Sequence, residues 1–302
     1  MSNNNIIKGV FLVALGATSY GMLATFVKLA YQENFTTAEV TSSQFILGII
    51  GILIINLFQR TKNKNTVIKA SPKNIFHLML AGTSLGMTSV FYYLAVKYIP
   101  VSIGIVLLMQ TVWMGVLLEW FLDKKAPSFQ KIISVIIVLI GTALAINIFK
   151  IDFNDPKIDW TNGLFWGLLA AASFTTTMFT ANKVALGISS AQRSLYMLLG
   201  GAVIVFGFSL YTQTTPFNFE IFTKWGIVLA LFGTIIPPML LNAGFPHTGI
   251  GLGSIVSSLE LPVSVMMAYF LLNEQVLLIQ WIGIVLIITA IVIMNIQFKK
   301  NK

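Results

Sequence analysis

Glu260 stands in the middle of the apolar run Gly249–Glu274, a stretch otherwise greasy enough to cross a bilayer. An ionisable group at mid-membrane costs about 2.5–3.5 kcal/mol on insertion scales, so an acid kept there reads as a functional group before it reads as packing. Three kinds of chemistry are open to it. It can take up and release a proton, hold the positive end of a substrate, or accept structural hydrogen bonds from neighbouring helices. Pro262 follows two residues later. Lacking an N–H, it cannot bond the carbonyl of Ser258, which predicts a bend there and a free acceptor within the membrane. On a helix, Gly253, Ser257, Glu260 and Ser264 share one small, polar face suited to lining a cavity. Ile255, Leu259 and Met266 form the opposite, apolar face.

Other polar residues lie deep in other apolar runs. Gln110, Thr111 and Trp113 fall in the middle of 102–121. They either contact a substrate or, as Gln110 can, join helices by hydrogen bonding within the membrane. Tyr92 and Asn242 lie deep in 75–97 and 224–245. Pro237 and Pro238 precede Asn242 and predict a hinge that frees the carbonyls of Gly233 and Thr234. Thr18, Gly21, Thr25 and Lys28 form a polar stripe at helical spacing, and Ser173, Thr176, Thr180 and Lys183 repeat it 155 residues on. Lys28 and Lys183 lie close to helix ends, where they either snorkel to the headgroups or guard a cavity mouth. Asp152, Asp155 and Asp159 resemble a carboxylate cluster, but their polar loop predicts solvated side chains, so no metal site and no cofactor are expected. No His-Glu-x-x-His or Gly-x-x-x-x-Gly-Lys-[Ser/Thr] occurs, which speaks against a metallopeptidase and a nucleotide-driven pump.

The elements that must position these residues are membrane helices. Of the 302 residues 56% are hydrophobic and 10% charged, against about 25% charged in soluble domains. The chain therefore reads as an all-α integral membrane protein. Its net charge of +9 does not point to nucleic acid, because the lysines and arginines gather in short connections between apolar runs. There is no cysteine, hence no disulfide framework and no thiolate chemistry.

Ten apolar runs stand near the roughly 20 residues a spanning helix needs. They fall at about 6–31, 39–59, 75–97, 102–121, 128–149, 161–186, 190–211, 224–245, 249–271 and 277–298. The first, Ile6 to Ala30, is too long for a leader's apolar core and reads as a span. One set of connections holds Lys8, Arg60, Lys62, Lys64, Lys69, Lys73, Lys124, Lys125, Lys131, Arg193, Lys299, Lys300 and Lys302. The alternate set holds Lys97, Lys150, Lys157 and Lys224. The excess of positive charge places both termini in the cytoplasm.

The halves read as copies: 1–150 and 160–302, joined by an extracytoplasmic linker, 151–159. Lys28-Leu29-Ala30 matches Lys183-Val184-Ala185, and Gly82-Thr83 matches Gly233-Thr234. The fourth and ninth runs align at an offset of 149, which sets Glu260 opposite Thr111 and Pro262 opposite Trp113. Five spans per copy is an odd number, so the second copy enters from the other side. Two inverted five-helix repeats put a substrate site near the midplane, where broken helices meet.

These features resemble the EamA-type family of the drug/metabolite transporter superfamily over essentially the whole chain. The resemblance rests on the ten runs in two fives and on Ser258-Leu259-Glu260-Leu261-Pro262. It rests also on Asn273-Glu274 leading into Trp281-Ile282-Gly283-Ile284-Val285-Leu286, and on the passage Tyr93-Leu94-Ala95-Val96-Lys97-Tyr98-Ile99-Pro100. It implies a secondary transporter, commonly an exporter of amino acids or other small metabolites, with a cavity lined by helices one, three, four, six, eight and nine. Two positions depart from the family's pattern. Trp113 stands where the first repeat carries a mid-helix proline, and Gln44-Phe45 stands where an arginine is frequent in the second helix.

The expected function is alternating-access transport, with a small-molecule substrate such as an amino acid or amphipathic amine, the lipid bilayer as surroundings and protons as a candidate coupling ion. The expected location is the plasma membrane, a bacterial inner membrane. The alternatives are an intramembrane lipid-modifying enzyme and a passive channel. One mid-membrane carboxylate without a partner acid is poor equipment for acid–base hydrolysis.

Overall fold

The computed structural model describes residues 3–62, 68–153, 155, 156 and 158–296. Lys64, Lys157, Lys299, Lys300 and Lys302, which enter the charge asymmetry, lie outside these residues. The described residues form helices and connections, with no strand among them. Eight helical stretches are long and apolar enough to cross a membrane. One of these, Phe222–Leu272, is 51 residues long, and Phe129–Ala145 is a shorter apolar helix besides.

The first half holds α1 (Asn3–Gln32), α2 (Thr37–Lys62), α3 (Pro72–Tyr98), α4 (Val101–Leu108), α5 (Thr111–Asp123) and α6 (Phe129–Ala145). The second holds α7 (Trp160–Lys183), α8 (Ser190–Thr212), the short α9 (Ile227–Ala230) between two π-helical turns, α10 (Ile236–Ser257), α11 (Glu260–Leu272) and α12 (Leu278–Ile296). Small polar residues start the helices by accepting from orphan backbone N–H groups. Ser71, Ser128 and Ser189 cap α3, α6 and α8. Thr36 and Glu39 make a reciprocal capping box at α2. Asp159 caps α7 by accepting from the backbone N–H and the side-chain amide of Asn162, and these bonds hold its carboxyl below the usual carboxylate range.

The two halves repeat in detail where the chain is broken. Val101–Leu108 and Ile250–Ser257 are eight-residue segments, and Thr111–Asp123 and Glu260–Leu272 are thirteen-residue helices. Between them lie two-residue joints of nearly equal conformation: Met109 (φ −67, ψ −9) and Gln110 (−60, −18) in the first half, Ser258 (−62, −10) and Leu259 (−59, −21) in the second. Both helices end on a left-handed residue, Lys124 (φ 55) and Asn273 (φ 52). At each joint the hydrogen bonds tighten to three residues: Val112 N–H donates to Met109 O and Leu261 N–H to Ser258 O.

The joint corrects two expectations about Pro262. The helix breaks before the proline, at Ser258–Leu259, and the Ser258 carbonyl is not free, since it accepts from Leu261. Pro262 lies in the first turn of α11, where its missing N–H has no intrahelical partner to lose. The matching joint before Thr111 forms with Trp113 at the equivalent position, so proline is not what breaks the chain. Pro237 and Pro238 begin α10 behind the π-helical turn Leu231–Ile235, and Gly233 O has a proline, with no N–H to give, both four and five residues on. Ser19 Oγ donates to Phe232 O at 3.1 Å, the acceptor whose π-register donor would be Pro237. The kink in α10 comes later, at Gly249 (φ 75, ψ 173).

Glycines let the helices approach. A Cβ on Gly200 of α8 would overlap the Met79 carbonyl of α3, and one on Gly82 would overlap the backbone of Met197. Close backbone contact of this kind replaces the missing hydrophobic drive between helices in lipid. The α1–α10 contact uses Gly9, Gly16 and Gly244 in the same way.

Candidate functional site

Glu260 is the first residue of α11, at the joint, and the α1 backbone reaches it through Gly21, where a Cβ would strike the Glu260 carbonyl oxygen. The equivalent approach in the other half is Thr175 of α7, whose hydroxyl bonds that of Thr111 at 2.8 Å. Gly21 therefore pairs with Thr175, an offset of 154 rather than the expected 155. One residue on a helix is a rotation of about 100°. Thr176 accordingly lies on the exposed face of α7, with Phe165, Leu168 and Ala172, and donates to its own helix at Ala172 O. Its neighbours Thr175 and Thr177 face inward, the latter bonded to Ser84 of α3.

The other candidates divide by whether the protein already uses their polar atoms. Gln110 donates to Val106 O and accepts from Trp113 Nε1 at 2.8 Å, so both amide atoms are spent at the joint. Thr111 joins α5 to α7. Thr180 is buried and donates to Thr176 O. Thr25 is buried and Thr18 half-buried. Tyr92 is half-buried, edge-to-face with Tyr93. Asn242 is buried, donates to Ser194 Oγ at 2.9 Å and leaves Oδ1 without a partner among the described residues. Ser257 Oγ is also buried and unpartnered. A small cavity lies between α1, α3, α7, α8 and α10, with Tyr20, Phe174, Thr177, Pro238, Leu241 and Asn242 in its wall.

Lys28 and Lys183 are exposed and make matched ion pairs. Lys28 pairs with Glu274 just past α11, and Lys183 with Asp123 at the end of α5, at 3.5 Å. The repeat places one at each end of the molecule. The end where α1 begins, next to His247, is tightly shut. There all eight residues of Ile250–Ser257 are buried, and Asn182 Nδ2 donates to Phe245 O at 2.6 Å. The equivalent segment at the other end is looser: Val101 is 58% exposed, and Tyr92 and Tyr93 are half-buried.

Three charged groups escaped the sequence reading. Arg193, expected in a connection between apolar runs, is 2% exposed and donates to the carbonyls of Thr180, Ala181, Val184 and Asn242. The first three end α7, and the fourth has lost its usual donor because Pro246 stands four residues on. Glu119 forms a partly buried ion pair with Lys131 beside Gly249 and Gly251, at the start of Ile250–Ser257. A carboxylate there is favoured by the helix N-terminus. Glu39, 2% exposed, accepts from Thr36, Gln213 and Asn218 and ties α2 to the connection after α8. An acid inside an apolar run was the available signal for Glu119, the same one that singled out Glu260.

The family model of EamA-like transporters matches residues 7–147 and again 161–296, two copies that together cover most of the chain. The chain belongs to the EamA-like transporter family. No curated protein matches it. A solved crystal structure of a protein superposes on 96% of this chain and 97% of its own with a TM-score of 0.77 at 13% identity, a likeness of fold. This EamA-like chain is thus a multi-pass membrane protein built on two repeats, and the family is one of membrane transporters.

Proposed function

We propose that the chain is a secondary transporter working by alternating access, an exporter of small metabolites such as amino acids or amphipathic amines, with protons as the coupling ion at Glu260. Ten spans in two inverted five-helix repeats are part of this reading. At 1.5 Å per residue, Phe222–Leu272 would be about 75 Å long, more than twice the roughly 30 Å hydrocarbon core, so the Gly249 kink divides it into two spans. Phe129–Ala145 then counts as a short span, and eight becomes ten. The first repeat takes 1–150, the linker 151–159 and the second repeat 160–302. Both termini face the cytoplasm of a bacterial inner membrane, supported by the lysine asymmetry.

The observation that carries the reading is the pair of equal joints, Met109–Gln110 and Ser258–Leu259, with the acid at only one of them. Broken helices meeting at mid-depth expose backbone and polar groups where a lining cavity needs them. The unequal ends fit one state of a rocking cycle, shut at the termini end and looser at the linker end. Glu260, Ser257, Asn242, Tyr92, Thr18, Thr25 and Thr180 are the residues proposed to meet substrate or coupling ion; Gln110, Thr111 and Trp113 hold the first joint. Lys28 and Lys183 mark the two mouths, and Pro262, Pro237 and Pro238 flank the moving segments.

Substrate counterflow in liposomes tests this. A ligand found by thermal shift among amino acids, polyamines and quaternary amines, loaded inside, should accelerate uptake of the labelled compound from outside. A channel or an enzyme shows no such trans-stimulation.

A further inference from the structure

The repeat gives a contact at one end of the molecule a counterpart at the other, so an unmatched contact marks what differs between the ends. Lys28–Glu274 and Lys183–Asp123 are matched, and both are made in this one state. Two other contacts are not matched. The first is the packing of α5 along Ile250–Ser257, which is close. Ser254 Oγ donates to Val112 O at 3.1 Å, and a Cβ on Gly115 would strike the same hydroxyl. The equivalent pair, α11 and α4, makes far less contact. The same packing is thus closed at the termini end and undone at the linker end.

The second unmatched contact sits at the rim of the first. Glu119, in the last turns of α5, is in an ion pair with Lys131 of α6, and both side chains are partly buried. The carboxylate lies where side chains at 249 and 251 would be, and both positions are glycine. A Cβ on Gly249 would come within 2.6 Å of Glu119 Oε1; one on Gly251 would come within 2.5 Å of Oε2 and 3.2 Å of Lys131 Nζ. The acid therefore closes over the first turn of Ile250–Ser257, whose N-terminus favours a negative charge, and the lysine holds it there. The other half lacks the parts for this. At the offset of 149, Ala268 stands for Glu119 and Pro100 for Gly249, and α12 carries no lysine or arginine from Leu278 to Ile296.

The geometry points to Glu119 and Lys131 as a one-sided latch, its carboxylate seated on the first turn of Ile250–Ser257 only while α5 lies along that segment. This rests on the alternating-access reading and deepens it. The latch favours the state shut at the termini end. When the linker end shuts in its turn, Ala268 brings no charge to the equivalent place, so the two states are unequal by what the latch contributes. Removing either charge shifts the population toward opening at the termini end. Glu119 and Lys131 are positioning residues, acting through the packing of α5 on α10.

Single cysteines at equivalent places read the latch in this cysteine-free chain: Ser254→Cys, at a buried position, and Ile105→Cys, its half-buried counterpart at the offset of 149. With an impermeant thiol reagent, Glu119→Gln and Lys131→Gln should each speed labelling of Ser254→Cys from the termini side about tenfold, and slow labelling of Ile105→Cys from the linker side. Glu119→Asp keeps the charge, withdraws it from the glycines by one methylene and should give the same reciprocal change, so the test survives a variant that fails to fold. Faster labelling at both positions in variants with the wild-type unfolding midpoint is general loosening and overturns the inference. So does labelling that changes at neither. The measurement needs no substrate, so the two readings fail separately: absent trans-stimulation strikes the transport reading, and labelling that does not move reciprocally strikes the latch.

Discussion

Replacing Arg193 by glutamine should loosen the shut end of the molecule. The guanidinium makes four bonds to carbonyls, at 3.0, 2.6, 3.0 and 2.5 Å. A glutamine amide has two N–H donors, so at least two carbonyls lose theirs. The Asn242 carbonyl has no replacement within its helix, because Pro246 occupies the donor position. Charge-assisted hydrogen bonds contribute about 1.5–3 kcal/mol each, so the substitution costs about 3–6 kcal/mol. The cost falls on the state in which α7, α8 and α10 are clasped. Thermal unfolding in detergent should therefore shift down. A cysteine at Thr177, in the cavity wall, should also become reactive toward a thiol reagent from the termini side in the Arg193→Gln background. The chain has no native cysteine to interfere. An unchanged midpoint together with an unreactive Thr177→Cys would refute the idea that Arg193 clasps this end.

Cysteines at Lys73 and Phe153, both at exposed positions, should report orientation: Lys73→Cys shielded and Phe153→Cys labelled by an impermeant reagent on intact cells, the reverse overturning the cytoplasmic placement of the termini. Cysteines at Thr25 and Thr180 should be labelled in alternation as conditions favour one open end or the other; inertness at both under every condition would mean that they only pack helices. Gly200→Ala puts a methyl against the Met79 carbonyl and should destabilise the α3–α8 contact by about 1–3 kcal/mol, seen as a lower unfolding midpoint; an unshifted midpoint would mean that the helices separate freely there.

The repeat and the place of the acid were legible because both rest on local pattern: apolar runs, and a charge where charges are expensive. The offset of 149 between the fourth and ninth runs carries straight into the two joints. What was not legible depended on neighbours far along the chain. Pro262 pointed to a break close by but not to its cause, since a tightened turn forms equally well before Trp113. Arg193 looked like a loop charge because it opens an apolar run, and its four acceptors lie on α10 and the end of α7, elements its own stretch says nothing about. Thr176 was misplaced by a one-residue slip, which on a helix turns a side chain from cavity to lipid. Gln110 and Asn242 looked alike as mid-membrane amides, yet one is fully spent and the other keeps a free acceptor.

Glu260→Gln in proteoliposomes tests the central claim most directly, because it keeps the shape at the joint and removes the charge. With a substrate established by counterflow, the wild-type protein should respond to an imposed pH gradient. The variant should fold with the same unfolding midpoint, lose that response, and bind its substrate more weakly, by about 2–5 kcal/mol if the carboxylate holds its positive end. A variant that transports normally with the wild-type pH response, at whatever folded yield, would contradict the account and leave Glu260 a structural acceptor.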